Sequence, residues 1–246
     1  MMMNQSVGQI MSKVILAEKT VNIKLLGDSI THGVGGTGFD QNGETIVEGF
    51  ARNTVGYCWA NLFKEYMENQ YDCKVINNAC TGTKIEFIIE NFEKLVDRTD
   101  DIVICLIGTN NRHQYFKDGP KRSKREQMKM FYQNIITLYN QFKEVGLDVI
   151  FVANVPASKE NEKDGADFWR LLNMNDIHDL YMKASFACGF PFISLYMQFL
   201  EYCDVKGISV DSLLADGLHP NNKGHEVMCR LMLKELGIGR KVSFLD

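Results

Sequence analysis

A serine hydroxyl is a poor nucleophile at neutral pH until a base takes its proton, and a histidine suits that task because its charge changes near working pH. The histidine in turn needs a carboxylate on its other ring nitrogen to hold tautomer and orientation. The sequence contains residues of these types in an order that allows it. Ser29 stands in Gly27-Asp28-Ser29-Ile30-Thr31-His32-Gly33, and Asp216 and His219 stand three residues apart in Asp216-Gly217-Leu218-His219-Pro220. That spacing lets one short loop present both partners. A carbonyl attacked by serine develops an oxyanion, which needs preorganised donors. The backbone N–H groups of Ser29 and Gly82 and the side-chain amide of Asn110 would supply them. Singly, each residue fits a blander role: Ser29 as a phosphate or turn ligand, Gly82 and Asn110 as turn formers. Together they describe acyl transfer.

These residues are far apart in sequence, so elements must bring them together. Val21–Leu26 is an apolar, alternating run that predicts a strand delivering Ser29 onto a tight turn. Lys74–Asn77 predicts a strand leading to the turn Ala79-Cys80-Thr81-Gly82-Thr83. Asp101–Ile107 is continuously apolar after its first residue, as expected of a central parallel strand buried on both faces. It ends at Gly108-Thr109-Asn110-Asn111. Asp148–Ala153 and Pro191–Leu195 predict two further strands. Helical spacing runs over Tyr57–Glu68, Ile85–Val96, Gln127–Val145 and Phe168–Ala187, and Leu231–Leu236 closes a C-terminal helix.

Strand, turn and helix thus alternate about five times, which predicts an α/β fold of about five parallel strands with helices on both faces. Ser29, Gly82 and Asn110 then emerge on one sheet edge, where open α/β sheets bind ligands. Residues 1–20 read as an N-terminal arm or helix and 21–246 as one domain. The glycine-rich stretch Gly33–Gly56 exceeds an ordinary βα connection and predicts a flap. Pro220 fits the first turn of a following helix. His225 belongs to that helix and is not the expected base.

Composition narrows the partners. A net charge of -4 over 246 residues provides no polycationic face, so no nucleic acid is expected. The seven cysteines are odd in number and lack a CxxC pair, which suits reduced thiols. Met1–Lys19 lacks the basic, apolar and cleavage segments of a secretory signal, and no membrane span is expected. A cytoplasmic location follows as an expectation.

The motifs, taken in order, resemble those of the SGNH hydrolases, the GDSL esterase/lipase superfamily. Gly27-Asp28-Ser29-Ile30 resembles the first motif, with Ser29 as nucleophile. Asn77 to Gly82 resembles the second, whose last glycine is an oxyanion donor. Gly108-Thr109-Asn110-Asn111 resembles the third, with Asn110 on the oxyanion asparagine. Asp216 and His219 fall on the Asp-x-x-His of the last. Asn111 stands where the family usually has aspartate. The resemblance implies a three-layer α/β/α, flavodoxin-like fold and ester hydrolysis through an acyl-serine, with no metal and no cofactor.

Substrate is less constrained. Asn42, Glu44, Arg52, Asn53, Arg112, His113 and Gln114 predict a polar rim, which suits acetyl or another small acyl group on a polar alcohol such as a carbohydrate. His32, Asn111 and His113 are the expected substrate contacts. A small-molecule or carbohydrate ester is the expected partner. Three alternatives stay open: a lysophospholipase or thioesterase whose acyl channel Phe39, Phe50, Tyr115 and Phe116 would line, an acyltransferase, and a carbohydrate-binding protein without turnover.

Overall fold

Five strands pair in parallel in a computed structural model that describes residues 6–38, 44–47, 50–53, 56–114, 120–163 and 169–238. β1 (Val21–Gly27) lies between β4 (Cys73–Asn77) and β5 (Ile102–Leu106). β6 (Asp148–Ala153) and β7 (Phe192–Ser194) extend the sheet beyond β5. In register, Leu25 sits beside Asn77 and Ile104, so the ends of β4, β1 and β5 reach one edge together. A separate antiparallel pair, β2 (Glu44–Val47) and β3 (Phe50–Asn53), falls in the stretch expected to form a flap.

The sheet is buried on both faces, and the strand period of two divides its side chains between two cores. Ile23, Leu25, Ile104, Leu106, Ile150 and Val152 enter one hydrophobic cluster. Leu26, Val103, Cys105, Val149 and Phe151 enter the other. The first cluster is covered by α1 (Val7–Ile15), α3 (Trp59–Gln70), α9 (Leu195–Lys206) and α10 (Asn222–Glu235). The second is covered by α4 (Ile85–Glu90), α5 (Phe92–Leu95), α6 (Lys124–Glu144) and α8 (Met174–Cys188). The architecture is the three-layer, flavodoxin-like one.

Several elements differ from the sequence reading, each for a local reason. Within residues 1–20, an N-terminal arm or helix in the sequence, lies α1, whose Ile10, Met11 and Val14 are buried in the same cluster as Ile23. A capping box between Ser6 and Gln9 starts this helix. Ile85–Val96 is two helices, because the Asn91 side chain bonds back to the carbonyl of Phe87 at 3.0 Å and the chain leaves helical geometry there. α8 begins only at Met174, where Asn173 and Asp176 form a capping box. α9 was not legible: Leu195, Phe199 and Cys203 are buried at a four-residue spacing, but exposed Met197 and Val205 blur the stripe. Pro220 precedes the last helix, whose cap is Asn221, accepting the N–H of Gly224 at 3.0 Å. Lys24, within the apolar run of β1, is buried with its ammonium 2.7 Å from Asp97 and 3.5 Å from Asp100. No helix among the described residues is long and apolar enough to cross a membrane. None of the seven cysteines is in a disulfide.

Candidate active site

At the end of β1 the chain turns into the short helix α2 (Ser29–His32). Asp28 is its N-cap and accepts the N–H of Ile30 at 3.1 Å. The other Asp28 oxygen accepts the N–H of Thr109 and an N–H of the Asn154 side chain, both at 3.3 Å. Asn154 also donates to the Thr109 hydroxyl at 2.7 Å, and that hydroxyl bonds in turn to Asp28. Burial pushes the Asp28 carboxyl above its ordinary range, and these bonds partly offset the rise. Asp28 therefore orders the turn at the ends of β1, β5 and β6. Ser29, its neighbour, is 8% exposed.

The second half of the site comes from the loop before α10. Leu214 and Pro220 pair across it, and Ala215 N–H bonds to the carbonyl of His219 at 2.8 Å. Inside this narrow loop one Asp216 oxygen accepts the N–H groups of Leu218 (3.0 Å) and His219 (2.8 Å). Its other oxygen lies 2.7 Å from His219 Nδ1, and His219 Nε2 lies 2.9 Å from Ser29 Oγ. Burial alone would raise the Asp216 carboxyl, but the bonds from His219 and Leu218 hold it below its ordinary value. The carboxylate accepts from Nδ1–H, so Nε2 presents its lone pair to the serine. That is the geometry of a serine made nucleophilic by a histidine base.

The turn before α10 is braced by the residues after α2. A side chain at Gly35 would put its Cβ 2.2 Å from the carbonyl oxygen of Pro220 and 3.1 Å from His219 Cβ, so only glycine allows this approach. Thr37 and Asn222 exchange two hydrogen bonds, at 2.8 and 3.0 Å. Buried His225 places Nε2 3.2 Å from the carbonyl of Val34. Its Nδ1 has no partner among the described residues, and burial lowers its pKa from 6.5 to about 4. The unfolded chain takes up this proton below pH 6.5 and the folded chain does not, so stability is full above pH 6.5 and falls as pH drops towards 4. The expected loss from this group is about 3 kcal/mol. Urea-unfolding midpoints measured across that window should fall with pH in the parent and fall less steeply in His225→Asn. Equal slopes would remove His225 as the source.

The candidate oxyanion donors converge on the same edge. Cys80 N–H bonds to the carbonyl of Gly27 at 3.1 Å, which pins the Gly82 turn beside the base of the serine turn. Gly82 takes a left-handed φ of +69°, which glycine adopts without strain, and no described atom lies within 4 Å of where a Cβ would stand. Asn110 lies in the 3₁₀ turn Thr109–Arg112 after β5. One N–H of its amide is held by the carbonyl of Thr83 at 2.9 Å. That bond orients the amide and leaves its second N–H for another acceptor.

Residues 25–227 match the model of the GDSL-like lipase/acylhydrolase family. The chain belongs to that family. It is accordingly a carboxylic ester hydrolase. No curated protein matches the chain in sequence. Among solved structures, an acetylxylan esterase from Geobacillus stearothermophilus is similar at 18% identity and TM-score 0.65, with 89% of this chain and 95% of that one covered. An α/β hydrolase enzyme from the metagenome of Lake Arreo, Spain, is similar at 17% identity and TM-score 0.65, with 91% and 98% covered. These likenesses show the shared fold.

In this GDSL-like acylhydrolase, two of the expected substrate contacts prove to be interior residues. His32 is buried, with Nδ1 3.0 Å from the carbonyl of Ala79, and links α2 to the Gly82 turn. Asn111 is buried as well. Its Oδ1 accepts the N–H of Ile85 at 3.0 Å, and its Nδ2 donates to Glu86 at 2.7 Å. An aspartate there would face Glu86 as a second carboxylate, so asparagine at 111 suits the acid at 86. His113 is half-buried, and its backbone pairs with Arg170. Arg112 and Gln114, expected on a polar rim, are buried too. Phe39, Asn42, Tyr115 and Phe116, and the side chains of Glu44, Phe50, Arg52 and Asn53, lie outside the described residues. Asn154 is the site residue that sequence reasoning passed over; its position directly after a predicted strand was the available signal. Among the described residues no cluster of three or more His, Cys, Asp or Glu could hold a metal ion.

Proposed function

We propose that this chain removes acetyl or another small acyl group from a polar alcohol such as a carbohydrate, through an acyl intermediate on Ser29. One observation carries the reading: Ser29 Oγ lies 2.9 Å from His219 Nε2, and His219 Nδ1 lies 2.7 Å from Asp216. Ser29 Oγ attacks the ester carbonyl as its proton passes to His219 Nε2, and Asp216 stabilises the imidazolium. The Ser29 and Gly82 N–H groups and the Asn110 amide stabilise the tetrahedral oxyanion. His219 then gives the proton to the leaving alcohol, leaving an acyl-Ser29 ester. Water, deprotonated by His219, attacks that ester, and as the second tetrahedral state collapses His219 returns the proton to Ser29 Oγ and the carboxylic acid leaves. A protein that only bound carbohydrate would have no use for a base at hydrogen-bond distance from a serine.

The preference for acetyl on a carbohydrate draws support from the shared fold with an acetylxylan esterase. The test is a panel of acetylated xylooligosaccharides, short aryl acetates, thioesters, lysophospholipids and long-chain esters. The acetyl esters are expected to exceed a long-chain ester in kcat/KM by about tenfold or more. A preference for long-chain esters or lysophospholipids would overturn this choice of acyl group.

A further inference from the structure

The segment that leaves β6, residues 154–162, touches three loops of the site: the serine turn, the Asn110 turn and the loop that carries Asp216 and His219. Asn154 joins Asp28 to Thr109. Ser158 donates its N–H at 2.8 Å to the carbonyl of Gly217, between Asp216 and His219. The same residue caps α7 (Lys159–Glu162), its hydroxyl accepting the N–H of Asn161 at 3.0 Å. At the far end of this single turn, Glu162 meets Arg112 Nη1 at 2.6 Å, and Asn161 Oδ1 accepts from that nitrogen at 3.1 Å. Arg112 is 1% exposed, and its Nε donates to the carbonyl of Thr109 at 3.0 Å, one residue before Asn110. The other Glu162 oxygen accepts the N–H of Met174 at 3.0 Å, where α8 begins.

We propose that the Arg112–Glu162 pair is a positioning pair for catalysis, holding the turn that carries Asn110 in register with the loop that carries Asp216 and His219. This rests on the reading of Asn110 as an oxyanion donor. A buried ion pair is weak evidence for stability, since well-packed apolar residues often serve as well. Its particular gift is direction. The planar guanidinium fixes several donor directions at once, and here they run to Thr109 on one side and to α7 on the other. α7 in turn reaches the triad loop through Ser158. An oxyanion donor has to sit within about 0.5 Å of its productive place, and such precision needs supporting groups of this kind.

The test compares Glu162→Ala, Glu162→Gln and Arg112→Lys in the parent and in an Asn110→Ala background, on nitrophenyl acetate, below the melting transition of every variant. Glu162→Ala and Arg112→Lys are expected to lower kcat by about 10- to 100-fold, with KM within about twofold. Glu162→Gln, which keeps an acceptor for Arg112, is expected to recover part of the rate. In the Asn110→Ala background the further loss is expected to shrink to about threefold or less, because the donor being placed is gone. An equal loss in both backgrounds, or an unchanged kcat with only a lower melting temperature, would overturn the proposal. If Glu162→Ala fails to fold, Arg112→Lys, which keeps the cation, decides by the same comparison. A parent inactive on every ester would overturn the functional reading and this proposal together. An active parent with unaffected variants overturns this proposal alone.

Discussion

Replacing Ser29 with alanine is expected to lower ester turnover by roughly five to six orders of magnitude, with the melting temperature close to that of the parent. The hydroxyl oxygen is the atom that faces the base, 2.9 Å from His219 Nε2. Without it the Asp216–His219 pair retains its own 2.7 Å bond, and the proposed oxyanion donors keep their backbone anchors. The residual rate is therefore that of a water activated in an otherwise intact site, a pattern seen when one member of such a unit is removed. The fold is expected to survive because the turn is held by Asp28, through Ile30 and Thr109, and not by the Ser29 side chain. Two measurements check this: turnover of an aryl acetate, and covalent labelling by a fluorophosphonate read as intact mass. Labelling that persists in Ser29→Ala, or turnover within tenfold of the parent, would sink Ser29 as the nucleophile.

Asn110→Ala carries the second largest expected effect, a loss of roughly two to three orders of magnitude in kcat. Charge reaches the carbonyl oxygen only as the tetrahedral state forms, so a donor aimed at it acts there and hardly on bound ester. KM should accordingly change little. The Asn110 amide is suited to this, because the Thr83 carbonyl holds one N–H at 2.9 Å and so orients the other before any substrate arrives. Steady-state kinetics on acetyl and nitrophenyl esters decide it. A near-parent kcat would remove Asn110 from the oxyanion site, and a rise in KM at constant kcat would make it a ground-state contact.

Much of the sheet was legible because a central parallel strand is buried on both faces. The apolar run Asp148–Ala153 coincides with β6, and the run Asp101–Ile107 exceeds β5 by one residue at each end. The three strand ends were legible for a related reason: turn residues after apolar runs mark where a parallel sheet stops. Helix bounds were less so. α9 escaped because its buried stripe is a single row, and the split at Asn91 depends on a side chain choosing a carbonyl over water.

The interior polar residues were the least legible. Arg112, His32 and Asn111 look like rim residues, since arginine, histidine and asparagine are mostly exposed. Each is buried because distant groups satisfy it: Glu162 and Asn161 for Arg112, Ala79 for His32, and Ile85 with Glu86 for Asn111. Local pattern carries no record of partners 25 to 50 residues away.

By itself the sequence determined the identity and order of the chemical groups, and the strand–turn–helix alternation that brings them to one edge. Those follow from residue type and short-range periodicity. Only the tertiary structure decided which polar side chains face the reaction and which are buried struts behind it, because the cost of burying a polar group depends on the partners that the fold brings to it.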